Sequence, residues 1–440
     1  MSIFDRAELA CAAAAPVVTG RVSRMVGLTI EVEGISAAVG DAVRILPHDA
    51  APLDGEVVSV TGRNLSCMPY GDPDGVRFGT PVQALGRQTS VMVGESLMGR
   101  VLDGLGRPID GLPMPEGLAD VRCSAEAPHP LNRELIEKQV ALGIRSLDTL
   151  VPCGRGQRLG IFSGSGVGKS TLLSMVARGT SADVSVLALV GERGREVSEF
   201  VKRDLGPEGL ARSVVVVATS DEPALVRIRA AFTATRIAEW FRDRGNDVIL
   251  MMDSLTRFAM AQREVGLSAG EPPATKGYPP SVFSLLPKLL ERAGSAVRGS
   301  ITGIYTVLVE GDDMNEPIAD AARSMLDGHV VLSRALATSG HYPSVDVLES
   351  ISRLEPAVVD LNRRKLATEL RKLLAAYRDA KDLIEIGAYV HGSNPTVDRA
   401  IAMKDFMDAF LRQDVHENAP LEESWACLQA LVGAPALAVG

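Results

Sequence analysis

A run of eight residues in the middle of the chain restricts its possible folds more than any other feature. Residues 163–170 read Ser-Gly-Ser-Gly-Val-Gly-Lys-Ser, after the apolar residues 159–162 and before a stretch in which apolar residues recur at helical spacing. A strand, a glycine-rich turn and a helix in this order allow backbone N–H groups to converge on a polyphosphate at the positive end of the helix dipole. The sequence therefore predicts a loop that binds a nucleoside triphosphate.

The residue types of this loop match the groups of a bound triphosphate. Lys169 is expected to reach the β- and γ-phosphates, and the hydroxyl of Ser170 is expected to ligate Mg²⁺. The other predicted nucleotide-binding residues flank these two, and they are Ser163, Gly164, Ser165, Gly166, Val167, Gly168 and Thr171. Ser163 stands where the strict pattern has its first glycine, so we expect its side chain to point away from the phosphates.

Length and composition restrict the class of protein. A chain of 440 residues is longer than one hydrophobic core usually supports, so its length suggests about three domains. No apolar run is long enough to span a bilayer, the first residues lack the pattern of a signal peptide, and the five cysteines are scattered, so we expect a cytoplasmic protein. The net charge of -9 disfavours nonspecific binding of nucleic acid.

Hydrophobic patterning divides the chain into five segments. Residues 1–18 are a short N-terminal segment, residues 19–90 alternate short strands with turns as in a small β-barrel, and residues 91–130 are a Gly/Pro-rich connector. Residues 131–355 alternate buried strands with helices, which predicts an α/β P-loop domain with a parallel sheet, and residues 356–440 are predicted to be helical. The predicted strands of the α/β domain are 158–162, 184–190, 213–219, 247–253, 301–310 and 329–333.

Two acidic residues follow predicted strands of this sheet. Glu192 is a candidate for polarising the water that attacks the terminal phosphate, and Arg193, the next residue, is a candidate catalytic residue beside it. Asp253 ends an apolar run and fits a role in holding Mg²⁺ across from Ser170. The alternative interpretations are a solvated charged turn for Glu192 and a helix cap for Asp253.

A third segment carries a resemblance to a known family. Pro343-Ser344-Val345-Asp346, followed by Ser350-Ile351-Ser352-Arg353, resembles the signature of the α/β-type subunits of rotary ATP synthases and their relatives. By this resemblance, Arg353 is an arginine finger inserted into the site of the neighbouring subunit, and Tyr342 stacks on adenine. An arginine paired within its own domain and a core tyrosine are the alternatives.

Other segments resemble one branch of that family. Four segments are similar to the type III protein-export ATPases, and their sequences are most similar to the flagellar group. These segments are residues 271–283, 289–294, 309–320 and 387–389. The resemblance covers residues 19–413 and implies a RecA-like core that uses ATP and Mg²⁺ in a homohexameric ring. It also implies as partners a regulator or stator protein, an export gate and chaperone–substrate complexes, with peripheral association at the inner membrane and no nucleic acid.

Three alternatives to a flagellar export ATPase stay open. The first is the injectisome ATPase of virulence secretion, and the second is a non-catalytic ring subunit, which would carry Gln where Glu192 stands. The third is an RNA translocase, although the predicted barrel lacks the aromatic and basic residues that stack on bases, and only 4% of the chain is aromatic. The segment before Thr19 is shorter than the one that binds a dimeric regulator in flagellar ATPases.

Overall fold

The computed structural model describes residues 18–309, 311 and 313–433. Nearly all of the predicted N-terminal segment, Glu310 at the end of one predicted strand, and the last seven residues of the chain lie outside the described residues. Among the described residues, no helix combines the length and the apolar character needed to cross a membrane.

Six antiparallel strands close into a barrel in the order β1-β2-β5-β4-β3-β6. These strands are β1 (Thr19–Val26), β2 (Thr29–Glu33), β3 (Asp41–Ile45), β4 (Leu53–Thr61), β5 (Asn64–Pro69) and β6 (Pro81–Gln88). Because side chains alternate between the two faces of a strand, residues such as Val22, Ile30 and Val43 point inward and form a separate small core. The predicted β-barrel is confirmed.

The segment after the barrel forms a small two-stranded sheet and adds one strand to the central sheet. Strands β7 (Ser90–Val93) and β9 (Ala119–Arg122) pair with each other. In the sequence between them, β8 (Val101–Asp103) forms an additional parallel strand at the edge of the central sheet. Residues 91–130, predicted as a connector, therefore contain an edge strand. Three residues carry too little periodicity to be recognised as a strand in a sequence.

Within the described ranges, the central sheet has nine strands. Two short strands, β10 (Gln139–Val140) and β11 (Cys153–Gly154), pair separately before it. Besides β8, the strands of the central sheet are β12 (Arg158–Ser163), β13 (Val184–Glu192), β14 (Ser213–Thr219), β15 (Asp247–Asp253), β16 (Gly294–Ser295), β17 (Ser300–Leu308), β18 (Gly328–Leu332) and β19 (Val345–Ser352). Their order is β19-β18-β12-β17-β15-β13-β14-β8, with β16 paired to β17. All pairs from β18 to β8 are parallel, whereas β19 is antiparallel to β18.

Helices cover both faces of this sheet. The helices are α1 (Arg145–Leu150), α2 (Lys169–Gly179), α3 (Gly194–Glu199), α4 (Gly206–Ala211), α5 (Ala224–Arg242), α6 (Leu255–Ser268), α7 (Pro280–Leu290), α8 (Pro317–Met325), α9 (Arg334–Thr338), α10 (Glu355–Val358), α11 (Leu361–Glu385), α12 (Pro395–Ala402), α13 (Lys404–Leu411) and α14 (Leu421–Gly433). A π-helical segment, Phe200–Leu205, lies between α3 and α4, and short 3₁₀ turns occupy Glu95–Leu97, Pro130–Asn132 and Thr275–Gly277.

The apolar strands are buried because each face of the sheet has its own core. On one face, α5 to α8 pack against the strands around Phe258 and Leu286. On the other face, α1 and α2 pack together with the C-terminal helices around Leu172, Leu370 and Phe410. The predicted parallel α/β core and helical C-terminal region are confirmed.

A buried ion pair joins the barrel to the central domain. Glu56 of β4 is 6% exposed and pairs with Arg229 of α5, whose Nε donates to Oε2 of Glu56 at 2.8 Å. The hydroxyl of Tyr70 donates to the same carboxylate oxygen at 2.9 Å. The charge of Arg229 is thus balanced by the carboxylate of Glu56, which belongs to the barrel.

Replacing Glu56 by Ala should destabilise the protein, because it leaves the largely buried guanidinium of Arg229 without the carboxylate of Glu56. Loss of one member of a buried pair costs about 3–5 kcal/mol. Urea denaturation of the full chain should therefore show a large decrease in the free energy of unfolding. The matched control is Glu33→Ala, an exposed acid of the same barrel, which should change that free energy by less than about 0.5 kcal/mol. Equal effects of the two substitutions would contradict a stabilising role of the Glu56–Arg229 pair.

Candidate nucleotide-binding site

The order of the parallel strands brings three sequence-predicted residues to one edge of the sheet. The predicted loop follows β12, Glu192 is the last residue of β13, and Asp253 is the last residue of β15. Since β15 lies beside β13 and only β17 separates β15 from β12, the carboxyl ends of these strands are close together. In open parallel sheets, ligands bind at this edge.

The loop has the backbone conformation that its glycines allow. Gly166 has a φ of 77° and Gly168 a φ of 93°, both in the left-handed region that favours glycine. Helix α2 begins at Lys169, directly after the turn at Gly168. Ser165, Gly166 and Ser170 are exposed, so the N-terminal end of α2 and its unsatisfied N–H groups are accessible to an anion.

Lys169 is the centre of a partly buried charged cluster. Its Nζ lies 2.5 Å from Oδ1 of Asp253 and 3.4 Å from Oε1 of Glu192. Asp253 is 3% exposed, and its Oδ1 also accepts a hydrogen bond at 2.7 Å from the hydroxyl of Thr306 in β17. The structure therefore brings together Lys169, Glu192 and Asp253, which are far apart in the sequence.

The charges of this cluster shift the proton affinities of its members. Burial by itself would lower the pKa of Lys169, but the charges of Asp253 and Glu192 outweigh burial, and the pKa is raised. The pKa of Glu192 is also raised, first by burial and then by the negative charge of Asp253, while Lys169 opposes both. A hydrogen bond with Glu196 of α3 raises the pKa of Glu192 further.

Ser163, the departure from the strict loop pattern, is part of the strand rather than of the turn. It is 2% exposed, and its Oγ has no hydrogen-bond partner among the described residues. Its carbonyl oxygen accepts from the N–H of Val309 at 3.0 Å, which ties β12 to the end of β17. The expectation that the Ser163 side chain faces away from bound phosphates stays a prediction.

Tyr342 lies against the loop. Its ring is 3.4 Å from the position that a Cβ on Gly168 would occupy, and the residue is 44% exposed rather than buried in the core. Two residues later, the hydroxyl of Ser344 donates to the carbonyl oxygen of Val167 at 2.6 Å. The carbonyl oxygen of Tyr342 accepts from the N–H of Gln413, in the helical region, at 3.0 Å. These contacts place an accessible aromatic ring beside the predicted phosphate site.

The two predicted catalytic arginines, Arg193 and Arg353, lie apart from this charged cluster. The side chain of Arg193 is 80% exposed and contacts Glu196 at 3.1 Å. Arg353 follows β19, and because β19 runs antiparallel, Arg353 lies beside the start of β18, at the amino edge of the sheet. The length of β12, roughly 15–20 Å, separates this edge from the loop of the same chain. The guanidinium of Arg353 donates instead to the carbonyl oxygens of Leu326 and Arg323 at 3.0 and 3.2 Å.

Two residues of the site were not among the sequence candidates. Thr306 holds the metal candidate Asp253, but its contact depends on the register between β15 and β17, which a single sequence does not reveal. Glu196 contacts both Glu192 and Arg193 from the first turn of α3. The sequence places Glu196 four residues after Glu192, and a helix begins between them. This short spacing could have indicated that the two side chains meet.

Comparisons with known proteins agree with this arrangement. Residues 143–352 match the ATP synthase alpha/beta family, nucleotide-binding domain, and residues 359–430 match the T3SS EscN ATPase C-terminal domain. The chain is 51% identical to a flagellum-specific ATP synthase of Bacillus subtilis (strain 168), over 94% of this chain and 95% of the relative. It is 47% identical to a type 3 secretion system ATPase of Xanthomonas euvesicatoria, over 94% of this chain and 93% of the relative.

A solved structure has the same architecture. The assembled ATPase EscN of the enteropathogenic E. coli type III secretion system, in complex with its central stalk EscO, is similar with a TM-score of 0.87 and 44% identity. The similarity covers 94% of this chain and 100% of that chain. The likeness therefore includes the barrel, the α/β domain and the C-terminal helices.

Replacing Ser163 by Gly should leave nucleotide binding nearly unchanged, because the Ser163 hydroxyl makes no hydrogen bond within the described part of the chain that would be lost. The dissociation constant of a fluorescent ATP analogue should stay within about twofold of the original value, a difference below 0.5 kcal/mol. Lys169→Ala is the control that should abolish binding in the same assay. A change of tenfold or more in Ser163→Gly would mean that this side chain contacts the nucleotide or shapes the loop.

Proposed function

The chain belongs to the ATP synthase alpha/beta family, in the branch of flagellum-specific ATP synthases and type 3 secretion system ATPases, and on this premise we propose that its ATP hydrolysis energises or assists export of flagellar proteins. The observation that carries the hydrolytic part of the proposal is the partly buried cluster of Lys169, Glu192 and Asp253 beside the loop. An ATP-hydrolysing enzyme needs a cation for the phosphates and a carboxylate for the water at one edge of the sheet, and this cluster supplies both.

Each member of the cluster has a distinct role in this proposal. Lys169 exchanges its contact with Asp253 for the β- and γ-phosphates of ATP, and the free N–H groups of the loop bind the same oxygens. Glu192, in its ionised form, accepts a hydrogen bond from the attacking water and orients it toward the γ-phosphorus. Arg193 and Tyr342, both accessible from solvent, contact the phosphates and the adenine respectively.

The donor set of the site fits Mg²⁺ delivered together with ATP. Among the described residues, no group of three or more His, Cys, Asp or Glu side chains could hold a metal ion alone. Mg²⁺ usually takes only one or two ligands from the protein and the rest from phosphates and water. Ser170 and Asp253 are the residues that would hold it, and its charge would neutralise that of the phosphates.

Arg353 completes the site of a neighbouring subunit in this proposal. It lies at the edge of the sheet opposite to its own loop, so a single chain cannot bring both to one nucleotide. A heterologous contact that repeats and closes produces a ring in which each copy offers Arg353 to the next. We take the ring to be a homohexamer, in line with the assembled state of the similar EscN structure.

The partners follow from the same comparison. The similar EscN structure is a complex with a central stalk, EscO, so that protein binds a partner in its assembled state. For this chain we propose a regulator or stator protein of the export apparatus as one partner. The export gate and chaperone–substrate complexes are the remaining partners, with substrates engaging the C-terminal helices. The protein would act in the cytoplasm, peripherally at the inner membrane, and its net charge of -9 argues against nucleic acid as a partner.

Virulence secretion is the second candidate, because an injectisome-type relative is 47% identical to the chain, against 51% for a flagellar one. Deleting the gene in the organism that encodes it decides between the two. We expect loss of extracellular flagellin and of motility, restored by the original gene but not by Glu192→Gln, with the variant present at the same level in immunoblots. Normal flagella in the deletion strain, together with a loss of injected effector proteins, would overturn the flagellar proposal and favour the second candidate.

The rate of hydrolysis should fall with decreasing pH as Glu192 takes up a proton. Because burial and Asp253 raise the pKa of Glu192, the acid limb of kcat/KM should have its midpoint above about 4.3, the ordinary value for glutamate. Glu196→Gln replaces a carboxyl neighbour by an amide that can donate to the ionised Glu192, so it should shift this midpoint to lower pH. Glu199→Gln, on the same helix but exposed, is the matched control and should leave the midpoint unchanged. An unshifted midpoint in Glu196→Gln would contradict the assignment of the acid limb to Glu192.

A further inference from the structure

A fully buried glutamine lies directly before the strand that leads into the loop. Gln157 is 0% exposed and precedes β12. Its Oε1 accepts from the N–H of Gly154 at 2.7 Å, and its Nε2 donates to the carbonyl oxygen of Asp327 and to Oγ of Ser352, both at 3.1 Å. Both the acceptor and the donor group of this amide therefore have partners in the interior.

Both acceptors of Nε2 adjoin Arg353. Ser352 is the residue before it, and the carbonyl oxygen of Asp327 also accepts from the N–H of Arg353 at 3.0 Å. The amide of Gln157 thus connects Asp327, directly before β18, with Ser352, the last residue of β19. Arg353 follows at this point. The direction of a side chain follows its backbone, so this bridge sets the direction in which Arg353 leaves the sheet.

The surroundings of Arg353 are fixed to the start of β12 by further contacts. The carboxylate of Asp327 accepts from the N–H of Arg158 at 3.0 Å and from its Nε at 3.2 Å. The guanidinium of Arg353 itself donates to two carbonyl oxygens at the C-terminal end of α8, where the helix dipole favours a cation. In the isolated chain, Arg353 is therefore held by contacts within its own subunit.

From these contacts we propose that Gln157 is a positioning residue for Arg353 and thereby acts on the ATP bound to the neighbouring subunit. The inference rests on the role in trans proposed for Arg353. Gln157 lies at the amino edge of the sheet, whereas the loop lies at the carboxyl edge, so Gln157 affects hydrolysis without touching the nucleotide of its own chain. An apolar side chain could fill the same space, but it would not fix the two strands through directed hydrogen bonds.

The first test separates positioning from nucleotide binding. Gln157→Met keeps the length and burial of the side chain and removes its hydrogen bonds, and Ser352→Ala removes only the acceptor next to Arg353. Each variant should lower kcat by about ten- to a hundredfold, as small misplacements of a catalytic group do, while KM for ATP changes by less than about twofold. A raised KM with unchanged kcat would overturn the inference.

The decisive test uses rings of two variants. Glu192→Gln lacks the water-orienting carboxylate but keeps Arg353, so it can lend its arginine to a neighbour with an intact site. In random equal mixtures, about one quarter of the sites combine an intact Glu192 with a correctly placed neighbouring Arg353. Co-expression with Glu192→Gln should therefore raise the rate of hydrolysis of Gln157→Met, of Ser352→Ala and of Arg353→Ala, whereas Gln157→Met mixed with Arg353→Ala should stay at or below the reduced rate of Gln157→Met alone.

Each other outcome has a definite meaning. If Arg353→Ala is restored by Glu192→Gln but Gln157→Met and Ser352→Ala are not, then Gln157 does not act through Arg353, and the inference is overturned while the role of Arg353 in trans stands. If Arg353→Ala itself is not restored, the role in trans is wrong, and the inference falls with it. Should Gln157→Met be insoluble, Ser352→Ala carries the same test, because it removes a single hydroxyl.

Discussion

The ammonium group of Lys169 lies between two carboxylates, and the sheet that brings these three groups together determines what the rest of the protein can do. Asp253 and Glu192 contact Lys169 from the ends of β15 and β13, while Lys169 itself starts the helix after β12. Two negative charges and one positive charge lie together in this partly buried place, and in the proposed function ATP with its metal ion replaces the internal ion pair. A different order of these strands would separate the three residues and remove the site.

A second constraint is the direction of β19. Because this strand is antiparallel to its neighbour, Arg353 lies at the amino edge of the sheet, a strand length away from the loop of the same chain. With the role proposed for Arg353, one chain presents half of a site at each of two edges. Together with the likeness to an assembled ATPase, this arrangement supports a ring in which hydrolysis requires contact between copies.

Much of the architecture could be predicted from the sequence, because it depends on local patterns. The loop was predicted from its glycines and its neighbours, and the buried strands were predicted from consecutive apolar residues such as those in β14. Other features depend on which distant segments become neighbours. The edge strand β8, the hydrogen bond from Thr306 to Asp253, and the bridge from Gln157 to Ser352 all follow from pairing between segments far apart in the chain, which periodicity does not encode.

The central claim is that Arg353 of one copy acts on the nucleotide held by Lys169 of the next. The most direct measurement is a cryo-electron-microscopy structure of the assembled protein with Mg²⁺, ADP and aluminium fluoride, which imitates the transferring phosphate. The account predicts that the guanidinium of Arg353 leaves the carbonyl oxygens of Leu326 and Arg323 and lies within hydrogen-bond distance of the fluoride in the neighbouring site. An Arg353 that stays on those carbonyl oxygens in every loaded site, with another group of the same chain on the fluoride, would contradict it.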